Sequence, residues 1–569
     1  MPGSRPRSPA SILDALEHLR TCFGPEFATR KLDALRILEH TSLPRARQVE
    51  RLHELLCFWR AYPDDPDVLG AVERLLSGFA RRRDLRRHAR RLENSGIAGT
   101  AIRFRFFAPT ALWLAQRWPG RLELDWGSFE NAGRLAAWLP QVALGAEIPA
   151  LDEIDHSPRA WIRRMKGPGE TEAAFLVRRL ARLPMNDAAR ETLYDELDPP
   201  LVLHPGDTTP ARTSAHQRRR PGREVSYSSG PGSRARPTPA EIRGLRPESV
   251  RTLTPREGRR CIDLARAAMV TRSRDLDVFS YGDPADVRRV EFEGGLSFAC
   301  IGALPERRLL LEAVYGFLTF KNDVPVGYVL VSALFGSSEI AYNVFDTYRG
   351  AEAGWIYARV LAMTHHLFGS DTFTIFPYQL GEGNAEAVAS GAWWFYQKMG
   401  FRPRDPAARR LMHQELARMK ASPRHRTGPA NLRRLARENL YLALGRERED
   451  VIGRLELPHV GLQVMKSLAA RFGSDREAAD RVCAREAAAQ LGLRSIAGWS
   501  PAERAAWRRW APLVLILPRL ARWNAAERRA LAQVVRAKGG RRESEFVRRF
   551  DAHRKLRAAI RRLTLDPAD

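Results

Sequence analysis

Apolar positions recur at helical spacing from the start of the chain: Ile12, Leu13, Leu16 and Leu19, then Leu52, Leu55, Leu56 and Trp59. This pattern predicts helices up to about Asp198, with no fixed repeat that would make a solenoid. Between Pro199 and Pro239 the pattern lapses. Pro, Gly, Ser and Arg dominate, in Arg218-Arg219-Arg220-Pro221-Gly222 and Ser228-Ser229-Gly230-Pro231-Gly232. Such a stretch buries too little apolar surface to offset the entropy of ordering, and a flexible basic linker is predicted over residues 199–245.

Residues 246–404 change period. Ser249 to Leu253 predicts a short strand, and Thr254-Pro255-Arg256-Glu257 is a capping box with proline at the first helical position. Ala313 to Phe320 and Val324 to Phe335 are β-rich runs on either side of the polar turn Lys321-Asn322-Asp323, and Ser338 to Phe345 completes an antiparallel meander. Ile356, Val360, Met363 and Leu367 then step as one helix face, followed by a strand at Thr372 to Phe376. A second helix carries Ala385, Val388, Ala392, Phe395 and Met399 on one face and stops at Gly400. After Arg402 the chain predicts helices to its end. The fold class expected is therefore multi-domain α and α/β. A helical domain (1–198), a linker (199–245), a mixed α/β domain with a central, mostly antiparallel sheet (246–404) and a basic helical region (405–569) follow in order.

Composition narrows the functional classes. A chain of 569 residues is too long for one core. No apolar run reaches the roughly 18–20 residues that would span a bilayer, Trp510 to Pro518 being the best, and Met1 to Asp14 lacks a signal core. Five scattered cysteines (Cys22, Cys57, Cys261, Cys300, Cys483) suggest neither a disulfide framework nor a zinc site, so a cytoplasmic protein without metal or membrane attachment is expected. The net charge of +27 is carried mostly by arginine, since eight of the 93 basic residues are lysine. Val250 to Arg402 holds 16 basic and 17 acidic residues, while Pro501 to Asp569 holds 18 and 7, so the excess lies in the flanks.

The chemistry-bearing stretch is Asp346-Thr347-Tyr348-Arg349-Gly350-Ala351-Glu352-Ala353-Gly354, a strand-to-helix turn rich in small residues. Unpaired N–H groups at such a helix start suit a phosphate or pyrophosphate. Taken with Val344-Phe345, Val324-Pro325-Val326-Gly327-Tyr328-Val329-Leu330 and Tyr396-Gln397-Lys398-Met399-Gly400-Phe401, the stretch resembles the GNAT superfamily of acyl-CoA-dependent N-acyltransferases over residues 248–404. Two departures stand out. Glu352 occupies the place of the family's middle glycine, where a carboxylate about 5 Å from a phosphate would cost roughly 3 kcal/mol at an effective dielectric of about 20. The strands that usually follow Gly-Phe give way to a helical pattern.

The resemblance implies transfer of an acyl group from acetyl-CoA or another acyl-CoA to an amine acceptor. It places Val344, Phe345, Arg349, Gly350, Ala351, Ala353 and Gly354 at the cofactor, with Asn384 on the pantetheine arm and Tyr396 as the acid for the leaving thiolate. Glu339 is the candidate base, with Asp346 second, because an amine with pKa near 10.4 must first lose its proton. Each residue also has a plain structural role open to it: a solvated strand position for Glu339, core packing for Tyr396, a helix N-cap for Asn384. Adjacent His365 and His366 point about 100° apart on a helix and do not predict a metal site. The competing class is a non-enzymatic protein that holds nucleic acid or another polyanion on its basic flanks. Aromatics interleaved with arginine, as in Arg103-Phe104-Arg105-Phe106-Phe107, would stack bases in that class or form core in a structural one.

Overall fold

The computed structural model describes residues 8–217, 224–228, 237–350 and 352–565. The chain divides into two compact units: residues 1–231, 260–281 and 320–326 in the first, and 232–259, 282–319 and 327–569 in the second. Most of the predicted linker motifs, Arg218 to Gly222 and Ser229 to Gly232, lie outside the described residues.

The first unit is mainly helical. Leu52, Leu55, Leu56 and Trp59 are buried on one helix, as their spacing predicts. Three short strands depart from the helical pattern. Leu201–Leu203, at the head of the expected linker, lies between Ile102–Phe104 and Leu122–Leu124 and pairs antiparallel with both. All three of its side chains are buried, and that burial keeps it ordered. The Arg-Phe stretch is partly built into this unit, with Phe107 exposed. Phe106 is buried, Arg103 pairs with Asp125 and Glu93, and Arg105 pairs with Asp198 and Glu130.

A nine-stranded sheet organises the second unit, apart from residues 320–326 at one of its turns. Its strands are β1 (Ser249–Thr252), β2 (Gly282–Glu291), β3 (Leu296–Ala303), β4 (Ala313–Lys321), β5 (Val324–Leu334), β6 (Ser337–Val344), β7 (Thr372–Ile375), β8 (Arg402–Pro403) and β9 (Leu440–Ala443). Their spatial order is β8-β9-β7-β6-β5-β4-β3-β2-β1. The helices that matter here are α1 (Pro255–Val270), α2 (Ala353–Phe368), α3 (Ala385–Ser390), α4 (Ala392–Lys398) and α5 (Pro406–Ala421), then the tail helices α6 (Glu543–Ala552) and α7 (Arg554–Leu563). The Thr254 and Glu257 side chains cap α1 reciprocally.

Three expectations need correction. First, β2 and β3 have no counterpart in the expected strand order. They extend the meander from three strands to five, and the β2–β3 register shifts between Gly282 and Val287. Second, the chain beyond Arg402 is not purely helical, because β8 and β9 pair antiparallel with each other and β9 with β7. Third, the helix expected from Ala385 to Met399 is broken at Gly391, whose φ of 66° ends α3 and starts α4.

The tail is built into this unit. Tyr315 donates to Asp286 Oδ2 at 2.6 Å and accepts from the Ser544 N–H at 2.8 Å, fixing the start of α6 against β4. Next to it Lys538 and Glu543, both buried, form an ion pair at 2.6 Å. Turn β5–β6 is pinned as well. Phe335 and Gly336 both have positive φ, and Arg448 Nη2 donates to both carbonyls while Asp551 Oδ2 accepts from the Gly336 N–H.

Candidate functional site: a gap between parallel strands

One strand pair breaks the antiparallel pattern. β6 and β7 run parallel, with Ser337, Ser338 and Glu339 opposite Thr372, Phe373 and Thr374. That register ends at Glu339, while β6 continues to Val344 and stays paired with β5 as far as Gly327↔Val344. Among the described residues, Ile340 to Val344 therefore have no strand partner on the β7 side. Parallel strands must be joined by a crossover, here α2, so the two chains diverge where the helix connection begins. At the far end β5 and β6 are very close. A Cβ on Gly327 would meet the Asn343 carbonyl at 2.3 Å, so only glycine fits there.

Three tyrosines pack together beside the unpaired end of β6. Tyr342 on β6, Tyr357 on α2 and Tyr396 on α4 form one cluster, with ring centroids 5.1 Å apart for Tyr342–Tyr357 and 5.6 Å for Tyr357–Tyr396. Phe395 and Phe401 close it. The backbone N–H of Tyr342 faces the Tyr396 hydroxyl. The hydroxyls of Tyr342 and Tyr357 are buried and have no hydrogen-bond partner. Such groups are rare, because each forfeits its hydration without compensation, at about 1–3 kcal/mol. Burial pushes the pKa of all three phenols up, so all three carry their protons at neutral pH. Sequence motifs point to Tyr396 but not to Tyr342 or Tyr357. Tyr342 falls in the predicted third strand of the meander and Tyr357 beside a predicted helix face, and no local signal marks either as polar lining.

Glu339 sits at the head of the gap, on the last paired position of β6. Alternation along the strand puts it on the face opposite Tyr342. Burial, helped by the neighbouring Glu312 carboxylate, raises its pKa to about 7. Glu312 in turn accepts from the Ser332 hydroxyl at 2.8 Å, and Ser332 is the register partner of Glu339 on β5. Asp346, the alternative base, is an exposed residue paired with Arg349 at 2.8 Å.

Beyond β6 the chain makes a turn at Asp346–Tyr348, in which the Tyr348 N–H donates to the Phe345 carbonyl at 2.8 Å. Val344 is half-buried and ends the strand, and Phe345 is buried next to Tyr328. Gly350 follows with φ of 89° and nothing within 4 Å of where a Cβ would stand. Ala353 and Gly354 open the sixteen-residue helix α2, with Glu352 at its N-cap position. Ala351 lies outside the described residues. Arg349 is bridged to Glu386 as well as to Asp346.

Asn384 caps α3: its Oδ1 accepts from the Ala387 N–H at 3.1 Å and its Nδ2 donates to the Tyr378 carbonyl. His365 is hydrogen-bonded to the Ser370 carbonyl at 2.8 Å. In the first unit Cys57 lies beside His53, but both are fully buried, and burial raises the thiol pKa and lowers the imidazole's, the reverse of an activated pair. Among the described residues no three His, Cys, Asp or Glu side chains cluster as metal ligands, and no helix is long and apolar enough to cross a membrane. No protein-family model matches the chain, and comparison with characterised proteins and with solved structures gives no match.

Proposed function

We propose that residues 246–404 form a GNAT-type acyltransferase domain that moves an acyl group from acyl-CoA to an amine. The observation that carries this reading is the β6–β7 gap with two buried, unpartnered hydroxyls beside it. An extended, hydrogen-bonding arm such as pantetheine would fill the gap and pair with the edge of β6, as a strand would. The open space at Gly350 and the N-terminus of α2 supply a place for the pyrophosphate.

The chemistry follows from the groups at hand. Glu339, with a pKa near 7, takes a proton from the acceptor ammonium. The freed amine attacks the thioester carbonyl, the C–N bond forms, the C–S bond breaks, the Tyr396 hydroxyl donates a proton to the departing thiolate, and the proton that the attacking nitrogen sheds to become an amide returns to the Tyr396 oxygen. Glu339 at the head of the gap and Tyr396 along it approach from opposite faces of β6, which suits an acceptor and a thioester arriving from opposite sides. Thiol release, followed with acetyl-CoA and a panel of amines, polyamines and lysine-bearing proteins, tests the reading. Release that depends on both acetyl-CoA and an amine supports it, and none with any acceptor counts against it.

A second reading, binding of a polyanion, is favoured by α7. Leu556, Ala559, Ile560 and Leu563 bury one face of this helix, and Arg554, Lys555, Arg561 and Arg562 are exposed on the other. Lys555 pairs with Glu527.

A further inference from the structure

A pocket of about 450 Å³ opens beside β8 and β9, lined among others by Arg404, Asn439, Tyr441 and Gly453. It lies apart from the tyrosine cluster and has its own unmet polar groups. The Arg404 side chain is 10% exposed and its guanidinium stacks over the Tyr441 ring, 4.5 Å from the centroid. Its Nη1 donates to the Arg448 carbonyl at 2.7 Å and lies 3.5 Å from a Glu449 carboxylate oxygen, but its Nε and Nη2 are buried without partners. Those two nitrogens form one edge of the guanidinium, the edge that takes a carboxylate through two parallel hydrogen bonds. Tyr441 does not serve them, since the guanidinium lies over its ring and its hydroxyl oxygen accepts from Asn439 Nδ2 instead.

Asn439 supplies the opposite polarity. Its Nδ2 donates to Tyr441 Oη and to the Gly453 carbonyl, which fixes the amide orientation because that carbonyl only accepts. Its Oδ1 is left buried without a donor. The pocket thus presents one unmet fork of donors and one unmet acceptor. Its other charges choose between anions. Arg409 and Arg454 join Arg404, yet Asp405, Glu438, Glu447 and Glu449 also line it, so its formal balance is net negative. A dianionic phosphate would face four carboxylates, whereas a carboxylate joined to an ammonium group meets both requirements.

We infer that this pocket binds a small zwitterion of the α-amino-acid type, with its carboxylate on Arg404 and its ammonium on Asn439 Oδ1 and the glutamates around it. The inference stands independently of acyl transfer. The test is calorimetry on the full chain with L-alanine, L-leucine, L-lysine and L-glutamate, using propionate, propylamine and inorganic phosphate as partial probes. At least one amino acid should bind saturably, at least tenfold tighter than any partial probe. Arg404→Lys keeps the charge and removes the fork, and should weaken that binding at least tenfold. Should Arg404→Lys fail to fold, Glu447→Gln decides: it removes a rim carboxylate and should shift preference from the amino acid toward propionate by at least threefold. No saturable binding by any amino acid, phosphate or propionate binding as tightly as the best amino acid, an Arg404→Lys variant of unchanged affinity, or an unshifted preference in Glu447→Gln would overturn the inference.

Discussion

The backbone N–H of Tyr342 faces the hydroxyl of Tyr396 and partly offsets the burial that raises that phenol's pKa. This approach sets α4 beside the part of β6 that β7 has left, with a phenol on the side where a neighbouring strand would otherwise pair.

Tyr396→Phe should therefore have two effects. The polar oxygen that faces the Tyr342 N–H is removed, so stability should fall by about 1–3 kcal/mol in denaturant titration. If Tyr396 is the acid for the thiolate, kcat should also fall by about 10²–10⁴ with little change in acyl-CoA affinity. A stability loss with unchanged kcat would leave Tyr396 a purely structural residue.

Tyr357→Phe should act in the opposite sense on stability. It deletes a buried hydroxyl that has no partner, so the free protein should become more stable by about 1–3 kcal/mol. Acyl-CoA affinity should drop, because the hydroxyl that the ligand would satisfy is gone. Thermal melts with and without acetyl-CoA read both effects, and a stabilised variant with undiminished affinity would place the arm elsewhere.

Glu339→Gln separates linkage from catalysis. Glu339 has its pKa raised from 4.5 to about 7, so its neutral form is the one the fold favours. Stability from this group is fully present below about pH 4.5 and is lost as pH rises through 7. The glutamine variant should match the parent at low pH and exceed it by roughly 3 kcal/mol above pH 8. In the same experiment series, the parent's kcat/KM should rise through pH 7 and the variant's should lack that rise.

Polyanion binding, measured as the salt dependence of binding to a nucleic acid, should depend on the exposed face of α7. Replacing Arg554, Arg561 and Arg562 with alanine should reduce the slope of log K against log salt by roughly 0.9 for each phosphate no longer neutralised. An unchanged slope would move the polyanion surface off this helix.

The sequence carries the local features well and the tertiary ones poorly. β4 to β6 show in alternation and in the Asn322-Asp323 turn, where both residues take positive φ, as a tight hairpin requires. β2 does not show, since it opens on Gly282-Asp283-Pro284 and buries Arg288 and Arg289, a combination that reads as loop and surface. β8 and β9 are two and four residues long and are separated by two helices, so neither has a period of its own. At the candidate site, Glu339, Tyr396 and the Arg349–Gly354 turn are legible as motif positions. The unmet hydroxyls of Tyr342 and Tyr357 are not, because whether a polar atom finds a partner depends on three elements brought together from β6, α2 and α4.

Equilibrium titration of acetyl-CoA into the full chain shows whether the β6–β7 gap takes an acyl-CoA arm. The account predicts saturable one-to-one binding, at least tenfold weaker in Tyr357→Phe and unaffected by Arg404→Lys, whose pocket is separate. No saturable binding up to millimolar acetyl-CoA, or binding that ignores Tyr357 and follows Arg404, would contradict the assignment of the β6–β7 gap to an acyl-CoA arm.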